Sequence, residues 1–161
     1  MHQVLLLLGG NLKNRKKLLA DAHLLVNNEI GKTLKSSSIY ETEAWAFKAE
    51  NHFLNQVVLA ETILSPEAVL KRAQGIEKKL GREKDLNSGY ASRTMDIDIL
   101  FYDDQVISTK VLNIPHPLLH KRRFVLEPLN EIASTFMHPE LQLTISQLLQ
   151  KCEDNHRVAL A

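Results

Sequence analysis

Residues 94–102 read Thr-Met-Asp-Ile-Asp-Ile-Leu-Phe-Tyr, and this stretch is the clearest predicted strand in the chain. Polar and apolar residues alternate in its first half, which is typical of a β-strand with two different faces. Because successive side chains of a strand point to opposite faces, Asp96 and Asp98 are predicted to lie side by side. The opposite face then takes Met95, Ile97 and Ile99.

Further elements are predicted on either side of this strand. Three more strands are expected at residues 4–8, 33–42 and 52–62, the first of them apolar throughout and therefore buried on both faces. One helix is indicated by an apolar stripe at residues 18–26, ending near Gly31. A second begins at Ser65-Pro66 and ends at Gly81. Asp103-Asp104 predicts a turn into a hairpin at residues 105–108, and a late helix is expected at residues 145–151.

The order strand, helix, strand, strand, helix, strand predicts an α+β, ferredoxin-like βαββαβ sandwich. Its antiparallel sheet carries two helices on one face, and a C-terminal hairpin and helix extend it. With 161 residues, we expect one domain spanning residues 1–161. This fold hosts many unrelated functions, so the chemistry has to be argued from particular side chains.

Composition narrows the class of protein. The formal net charge is +1, so no general attraction to nucleic acid or to an anionic membrane is expected. The single cysteine, Cys152, builds no disulfide framework and favours a reducing, cytoplasmic compartment. The apolar run at residues 4–8 is too short to cross a membrane. We expect a monomer that binds small molecules.

The paired carboxylates Asp96 and Asp98 are the sharpest chemical feature. Two acids one strand step apart repel each other unless a cation lies between them, and oxygen ligands on a rigid strand suit Mg²⁺. The alternative is a solvated sheet face that happens to carry two acids. The neighbouring Arg93 favours the metal, because an arginine beside metal-bound acids can reach a phosphate.

Other polar residues allow two interpretations each. Arg82 and Lys84 could line a polyphosphate channel or could be ordinary surface charges, and the chain has no P-loop motif. Asn55, on an apolar strand face, could bond to backbone groups or to a heterocycle. His116 and His120 have helical zinc spacing, but the prolines on both sides of His116 favour a loop residue near the site.

The order of the short motifs is more specific than any one of them. Along the chain come Gly9-Gly10-Asn11, Tyr40-Glu41-Thr42, Phe53-Leu54-Asn55, Gln74-x-x-Glu77, Gly81-Arg82, Arg93-Thr94-Met95-Asp96-Ile97-Asp98-Ile99, Pro115-His116-Pro117 and Arg122-Arg123-Phe124-Val125-Leu126. This series resembles the 6-hydroxymethyl-7,8-dihydropterin pyrophosphokinase family over nearly the whole chain. The resemblance implies transfer of pyrophosphate from ATP to the pterin alcohol, giving AMP, in folate biosynthesis.

The resemblance also implies roles for individual residues. Asp96 and Asp98 would hold two Mg²⁺ ions, and Arg82 and Arg93 would be catalytic cations. Nucleotide binding would involve Gln74, Glu77, Lys84, Ile99, His116 and Arg122. The pterin pocket would be formed by Thr42, Ala44, Trp45, Phe53, Asn55 and Phe124.

The sequence departs from the family pattern at a few positions. Gly10 stands where serine is usual, Ala44 where proline is common, and Lys84 where arginine is frequent. The stretch 87–92, which includes Tyr90, replaces a usual Gly-Pro. Two rival functions are an RNA-binding domain of the same fold and a regulatory module without catalysis. The charge balance and the paired acids on the strand argue against the RNA-binding domain, and the regulatory module would not require Asp96, Asp98 and Arg93 together.

Overall fold

A computed structural model of the chain describes residues 1–42, 52–81 and 94–161. Its strands are β1 (His2–Gly10), β2 (Lys32–Ser36), β3 (Tyr40–Thr42), β4 (Phe53–Thr62), β5 (Asp96–Tyr102), β6 (Ile107–Ser108), β7 (Asn113–Ile114) and β8 (Val158–Leu160). Its helices are α1 (Arg15–Glu29), α2 (Pro66–Lys79), α3 (Arg123–Ala133) and α4 (Ile145–Lys151).

The main sheet is antiparallel and has the order β5-β1-β4-β3-β8, with β2 pairing with another part of β4. The segment β1-α1-β2/β3-β4-α2-β5 confirms the predicted ferredoxin-like arrangement. The single strand predicted at residues 33–42 is wrong in one respect, because it breaks between β2 and β3. Ser37 turns there to bond Val57, donating its N–H to the Val57 carbonyl (2.8 Å) and accepting the Val57 N–H on Oγ (3.0 Å).

Strand β1 lies between two hydrophobic cores, one on each face of the sheet, as its unbroken apolar sequence predicts. Val4, Leu6 and Leu8 belong to the core beneath α1 and α2, here called the α1/α2 core. Leu5 and Leu7 belong to the core beneath α3 and α4, here called the α3/α4 core. A strand between two hydrophobic layers is fixed in register, since a slip of one residue would exchange its two faces.

The helix boundaries of α2 follow from local chemistry. Ser65 accepts the Ala68 N–H on its side chain (3.2 Å), and Pro66 occupies the first helical position. The chain leaves the helix through Gly81, whose φ of 90° suits a residue without a Cβ. Both ends confirm the sequence prediction.

The second face of the sheet differs from the sequence-based picture. Helix α3 and strand β8 are not predicted, and α3 contains Pro128, which disfavours a helix locally. Burial of Val125, Leu126 and Leu129 in the α3/α4 core stabilises the helix in spite of the proline. The predicted α4 is confirmed, whereas the hairpin after Asp103 is wrong in its pairing, because β6 pairs with β7.

Within the described residues, no helix is long and apolar enough to cross a membrane.

Replacing Leu6 by alanine tests the central place of β1. Leu6 is fully buried, so the cavity is expected to lower the free energy of unfolding by about 2–5 kcal/mol. Leu24→Ala is the control, because Leu24 is 61% exposed and its loss is expected to change stability by about 0.5 kcal/mol or less. Urea denaturation of both variants measures the difference. Equal losses would contradict the described core.

Candidate active site

Gly9 on β1 joins the two predicted halves of the site. In the sheet register it pairs with Asn55 of β4 on one side and with Asp96 of β5 on the other. A Cβ added to Gly9 would lie 2.2 Å from Asn55 Oδ1, so the amide oxygen occupies the space that any other residue would need. Asn55, a predicted pterin residue, and Asp96, a predicted metal ligand, therefore lie on the two sides of one strand at a residue that has no side chain.

Asp96 and Asp98 lie on the face of β5 predicted for them. Both are half-buried, while Met95, Ile97 and Ile99 are packed in the α1/α2 core. The described residues contain no cluster of three or more His, Cys, Asp or Glu side chains suited to a metal ion. Mg²⁺ usually takes one or two protein carboxylates and keeps the rest of its shell for water and phosphate, so it does not require such a cluster. The two carboxylates fit that ion.

Glu77 holds the strand that carries these acids. Its side chain is 7% exposed, and Oε2 accepts the Ile97 backbone N–H at 2.8 Å. Ile97 lies between Asp96 and Asp98 on an outer strand of the sheet, where a backbone donor needs a partner from outside the ladder. Glu77 therefore anchors the backbone between the two carboxylates.

His116 is a neutral donor in the same region. Its Nδ1 accepts the Leu118 backbone N–H at 3.2 Å, which leaves the ring proton on Nε2. Burial, together with the positive charge of Arg122, lowers the pKa of His116 to about 4, against the opposing influence of Asp96. At neutral pH the imidazole is thus uncharged and can offer an N–H to a phosphate or ribose oxygen.

Arg122 and Phe124 stand at the start of α3. Arg122 is 7% exposed, and its guanidinium carbon lies 5.7 Å from the centre of the Phe124 ring, within the range of a cation–π contact. The adjacent Arg123 is engaged elsewhere, with the backbone and carboxylate of Asp154 and with Glu127. Of the two arginines, Arg122 is the one placed toward His116.

The predicted pterin residues on the sheet lie next to one another. Asn55 and Thr42 are both 3% exposed, and Asn55 Nδ2 donates to Thr42 Oγ1 at 3.4 Å. Phe53 pairs with Thr42 across β3 and β4 and is half-buried. Phe124 packs against the α3/α4 core, on the same face of the sheet as the odd-numbered residues Val57 and Leu59 of β4.

The remaining predicted site residues either lie farther from the carboxylates or fall outside the described ranges. Gln74 is exposed on α2, one turn before Glu77, and the Ile99 side chain is buried in the α1/α2 core, away from the carboxylates. Ala44, Trp45, Arg82, Lys84 and Arg93 fall within residues 43–51 and 82–93, outside the described residues. Gly9 belongs to one of the motifs of the family resemblance, but its close contact with the Asn55 amide could not be predicted, because it depends on the pairing of β1 with β4.

Paired carboxylates can hold a polyphosphate through a metal ion, and a buried arginine and a neutral N–H donor in the same region can bind its oxygens directly. An amide between a glycine and a threonine, near an aromatic ring, suits a flat heterocycle. These features are typical of an α+β phosphotransferase with a flat heterocyclic substrate.

Residues 5–134 match the family described as 7,8-dihydro-6-hydroxymethylpterin-pyrophosphokinase, and the chain belongs to that family. Members of the family are pyrophosphokinases, enzymes that transfer diphosphate from ATP.

Among similar proteins, the 2-amino-4-hydroxy-6-hydroxymethyldihydropteridine pyrophosphokinase of Porphyromonas gingivalis is 40% identical over 139 residues, 85% of this chain and 94% of the relative. The protein of the same name from Aquifex aeolicus is 45% identical over 105 residues, 65% of this chain and 64% of its own length. The folic acid synthesis protein fol1 of Pneumocystis carinii is 40% identical over 148 residues, which are 92% of this chain but 20% of that protein.

A solved structure of Plasmodium falciparum HPPK-DHPS with pteroate shares the fold, with a TM-score of 0.75 and 19% identity. The match covers 93% of this chain and 42% of that one. The chain thus spans a minor part of some relatives and nearly all of others.

Gly9→Ala tests the close contact at the junction. A methyl group would collide with Asn55 Oδ1, so we expect a loss of about 1–3 kcal/mol of stability and a shift of the Asn55 side-chain amide resonances. Gly75→Ala is the control, because nothing lies within 4 Å of its Cβ and alanine favours the helix by up to about 1 kcal/mol. NMR spectra and urea denaturation measure both. An unshifted Asn55 amide in Gly9→Ala would refute the contact.

Proposed function

We propose that this chain transfers diphosphate from ATP to the hydroxymethyl group of 6-hydroxymethyl-7,8-dihydropterin, yielding AMP and the pterin diphosphate for folate biosynthesis. One observation carries the proposal beyond family membership: Gly9 pairs with Asn55 on one side and Asp96 on the other. A pterin at Asn55 would then present its alcohol toward a phosphate held at β5. We further propose that residues 1–161 act as one domain.

Two Mg²⁺ ions are proposed to bind between Asp96, Asp98 and the ATP phosphates. When bound, the ions would neutralise phosphate charge and stabilise the negative charge on the reacting oxygens. The role of the chain is to keep both carboxylates on one strand face at a fixed spacing. The Glu77–Ile97 hydrogen bond supports this role, because it holds the backbone between them.

ATP is proposed to bind along the outer side of β5 and against the start of α3. His116 would donate from Nε2, and Arg122 would supply a positive charge that is already partly desolvated. Glu77 would contribute through β5, and any contact of Ile99 with the nucleotide would have to involve its backbone. The remaining proposed nucleotide and catalytic residues are Gln74, Lys84, Arg82 and Arg93.

The pterin is proposed to bind between β3, β4 and α3. Asn55 supplies donor and acceptor groups for the heterocycle edge, with Thr42 orienting its amide, and Phe124 supplies an aromatic surface. Phe53, Ala44 and Trp45 complete the proposed pocket.

The proposed reaction is a direct displacement. The pterin hydroxyl oxygen bonds to the β-phosphorus as the bond from that phosphorus to the α,β-bridging oxygen breaks, and AMP leaves with the bridging oxygen. The hydroxyl proton passes to solvent. The neutral His116 would donate a hydrogen bond and the cationic Arg122 would neutralise negative charge, and neither would exchange a proton with the substrates. This suits a loose transition state.

We also propose that the chain acts as a monomer in the cytoplasm. The lone Cys152 suits a reducing compartment.

Product analysis tests the proposed function. The chain, ATP, Mg²⁺ and 6-hydroxymethyl-7,8-dihydropterin are incubated together, and the nucleotides are separated by chromatography. We expect AMP and a pyrophosphorylated pterin in equal amounts. ADP would indicate an ordinary kinase, and the absence of turnover with retained binding would favour a regulatory module.

Asp96→Asn and Asp98→Asn test the metal site. Each removes one anionic ligand while keeping the side-chain volume, so we expect kcat to fall about 10²–10³-fold, with a higher Mg²⁺ requirement. Asp21→Asn is the control, since Asp21 pairs with Lys17 on the solvent face of α1. The Mg²⁺ dependence of initial rates measures the effect. Wild-type rates in both site variants would exclude metal binding at β5.

A further inference from the structure

Glu131, near the end of α3, binds the corner between β2 and β3. Its Oε1 accepts the Tyr40 hydroxyl at 2.6 Å, and its Oε2 accepts the Ser38 backbone N–H at 2.8 Å and the Ser38 hydroxyl at 3.2 Å. One carboxylate thus receives three hydrogen bonds from residues more than ninety positions earlier in the chain. Hydrogen bonds to a charged acceptor are stronger than those between neutral groups.

The contacts in this cluster shift the pKa values of Glu131 and Tyr40 in opposite directions. Desolvation raises the pKa of Glu131, but the hydrogen bonds from Tyr40 and Ser38 outweigh this effect. The pKa of Glu131 is therefore below its usual range. Burial, followed by the bond to Glu131, raises the pKa of Tyr40 to about 12. At neutral pH the carboxylate is therefore ionised and the phenol is a donor, which is the combination that the three bonds require.

The cluster of Glu131, Tyr40 and Ser38 is connected to the proposed pterin pocket by the pairing of β3 with β4. Tyr40 is the direct cross-strand partner of Asn55, and Thr42, two residues further along β3, accepts from the Asn55 amide. Directly opposite residues of an antiparallel pair lie on the same face with Cβ atoms about 5 Å apart. Fixing Tyr40 therefore fixes the strand that supports the Asn55 side chain.

The same helix carries the opposite wall of the pocket. Phe124 and Glu131 are seven residues apart, so they lie on one face of α3, two turns or about 10.5 Å from each other. A helix held at Glu131 to β3 holds Phe124 at a set distance from Asn55. The width of the space between the ring and the amide then depends on the Glu131 contacts.

We propose that Glu131 is a positioning residue for the pterin site, acting through Tyr40 and Ser38 to set the spacing between Phe124 and the Thr42–Asn55 pair. The proposal rests on the proposed function, since it assigns the pterin to that space. It predicts that loss of the Glu131 contacts weakens pterin binding and leaves nucleotide binding nearly unchanged. The proposed nucleotide site lies mainly on β5 and at His116, and its residue on the α3 side, Arg122, precedes the helix as its N-cap.

Two variants and one control test this role. Glu131→Gln keeps the volume but offers one acceptor oxygen in place of two, and Tyr40→Phe removes only the hydroxyl. Glu29→Gln removes a carboxylate that bridges two helices on the other face of the sheet, where it accepts from Lys79 at 2.9 Å. Calorimetry measures the dissociation constants of the pterin and of α,β-methylene-ATP with Mg²⁺ for each protein.

We expect Glu131→Gln to weaken pterin binding about tenfold and Tyr40→Phe to weaken it by a smaller factor. Affinity for the nucleotide analogue should change less than about twofold, and Glu29→Gln should alter neither constant. In steady-state assays the KM for pterin should rise while kcat stays within about threefold. A purely structural role would lower the affinities of both ligands together, which would overturn the proposal.

A spectroscopic titration checks the contact independently of any ligand. Removing the Glu131 charge should lower the pKa of Tyr40 from about 12 toward the ordinary value of 10, seen as an earlier rise in tyrosinate absorbance. An unchanged titration would overturn the proposal. If the unmodified chain binds and converts the pterin while Glu131→Gln matches it, only the positioning role is wrong. If the unmodified chain does neither, the proposed function fails and this role with it.

Discussion

The pairing of β1 on both edges and its burial on both faces is the constraint from which the rest of the structure follows. Its side chains fill two cores, and its backbone aligns β4 with β5. At its C-terminal end the strand carries Gly9, where the Asn55 amide takes the space of a side chain. The register that stabilises the fold thus also places Asn55, the proposed pterin-binding residue, and Asp96, a proposed metal ligand, on the two sides of Gly9. Stability and function share one set of backbone hydrogen bonds.

The two faces of the sheet contribute different groups to the site. Helices α1 and α2 close one core, and α2 extends Glu77 to hold the outer strand β5. On the other face, α3 packs over β4 and brings Arg122 and Phe124 to the region of the site. The chain is close to electrically neutral as a whole. Within the site, the uncharged His116 imidazole lies close enough to both Asp96 and Arg122 for their charges to affect its pKa. This distribution suits a site that takes a metal–phosphate complex and not a nucleic acid surface.

Local chemistry made much of the fold predictable. An unbroken apolar run predicted a doubly buried β1, alternation placed Asp96 and Asp98 together, and Ser65-Pro66 marked the start of α2. Contacts between distant residues could not be predicted. The bonds of Ser37 to Val57 break the strand predicted at residues 33–42, and core burial outweighs Pro128 in α3. For the site, the resemblance supplied the residues but not their arrangement. Sequence alone gave no sign of Glu131, because its partners are 91 and 93 positions away.

A crystal structure with Mn²⁺ in place of Mg²⁺, α,β-methylene-ATP and the pterin tests the central claim most directly. Anomalous scattering locates the metal independently of any assumed position. The account predicts metal peaks in contact with both Asp96 and Asp98, and the pterin hydrogen-bonded to Asn55 with its hydroxymethyl group directed across Gly9 toward the β-phosphate. Metal peaks away from β5, or a pterin bound elsewhere than beside Asn55, would contradict it.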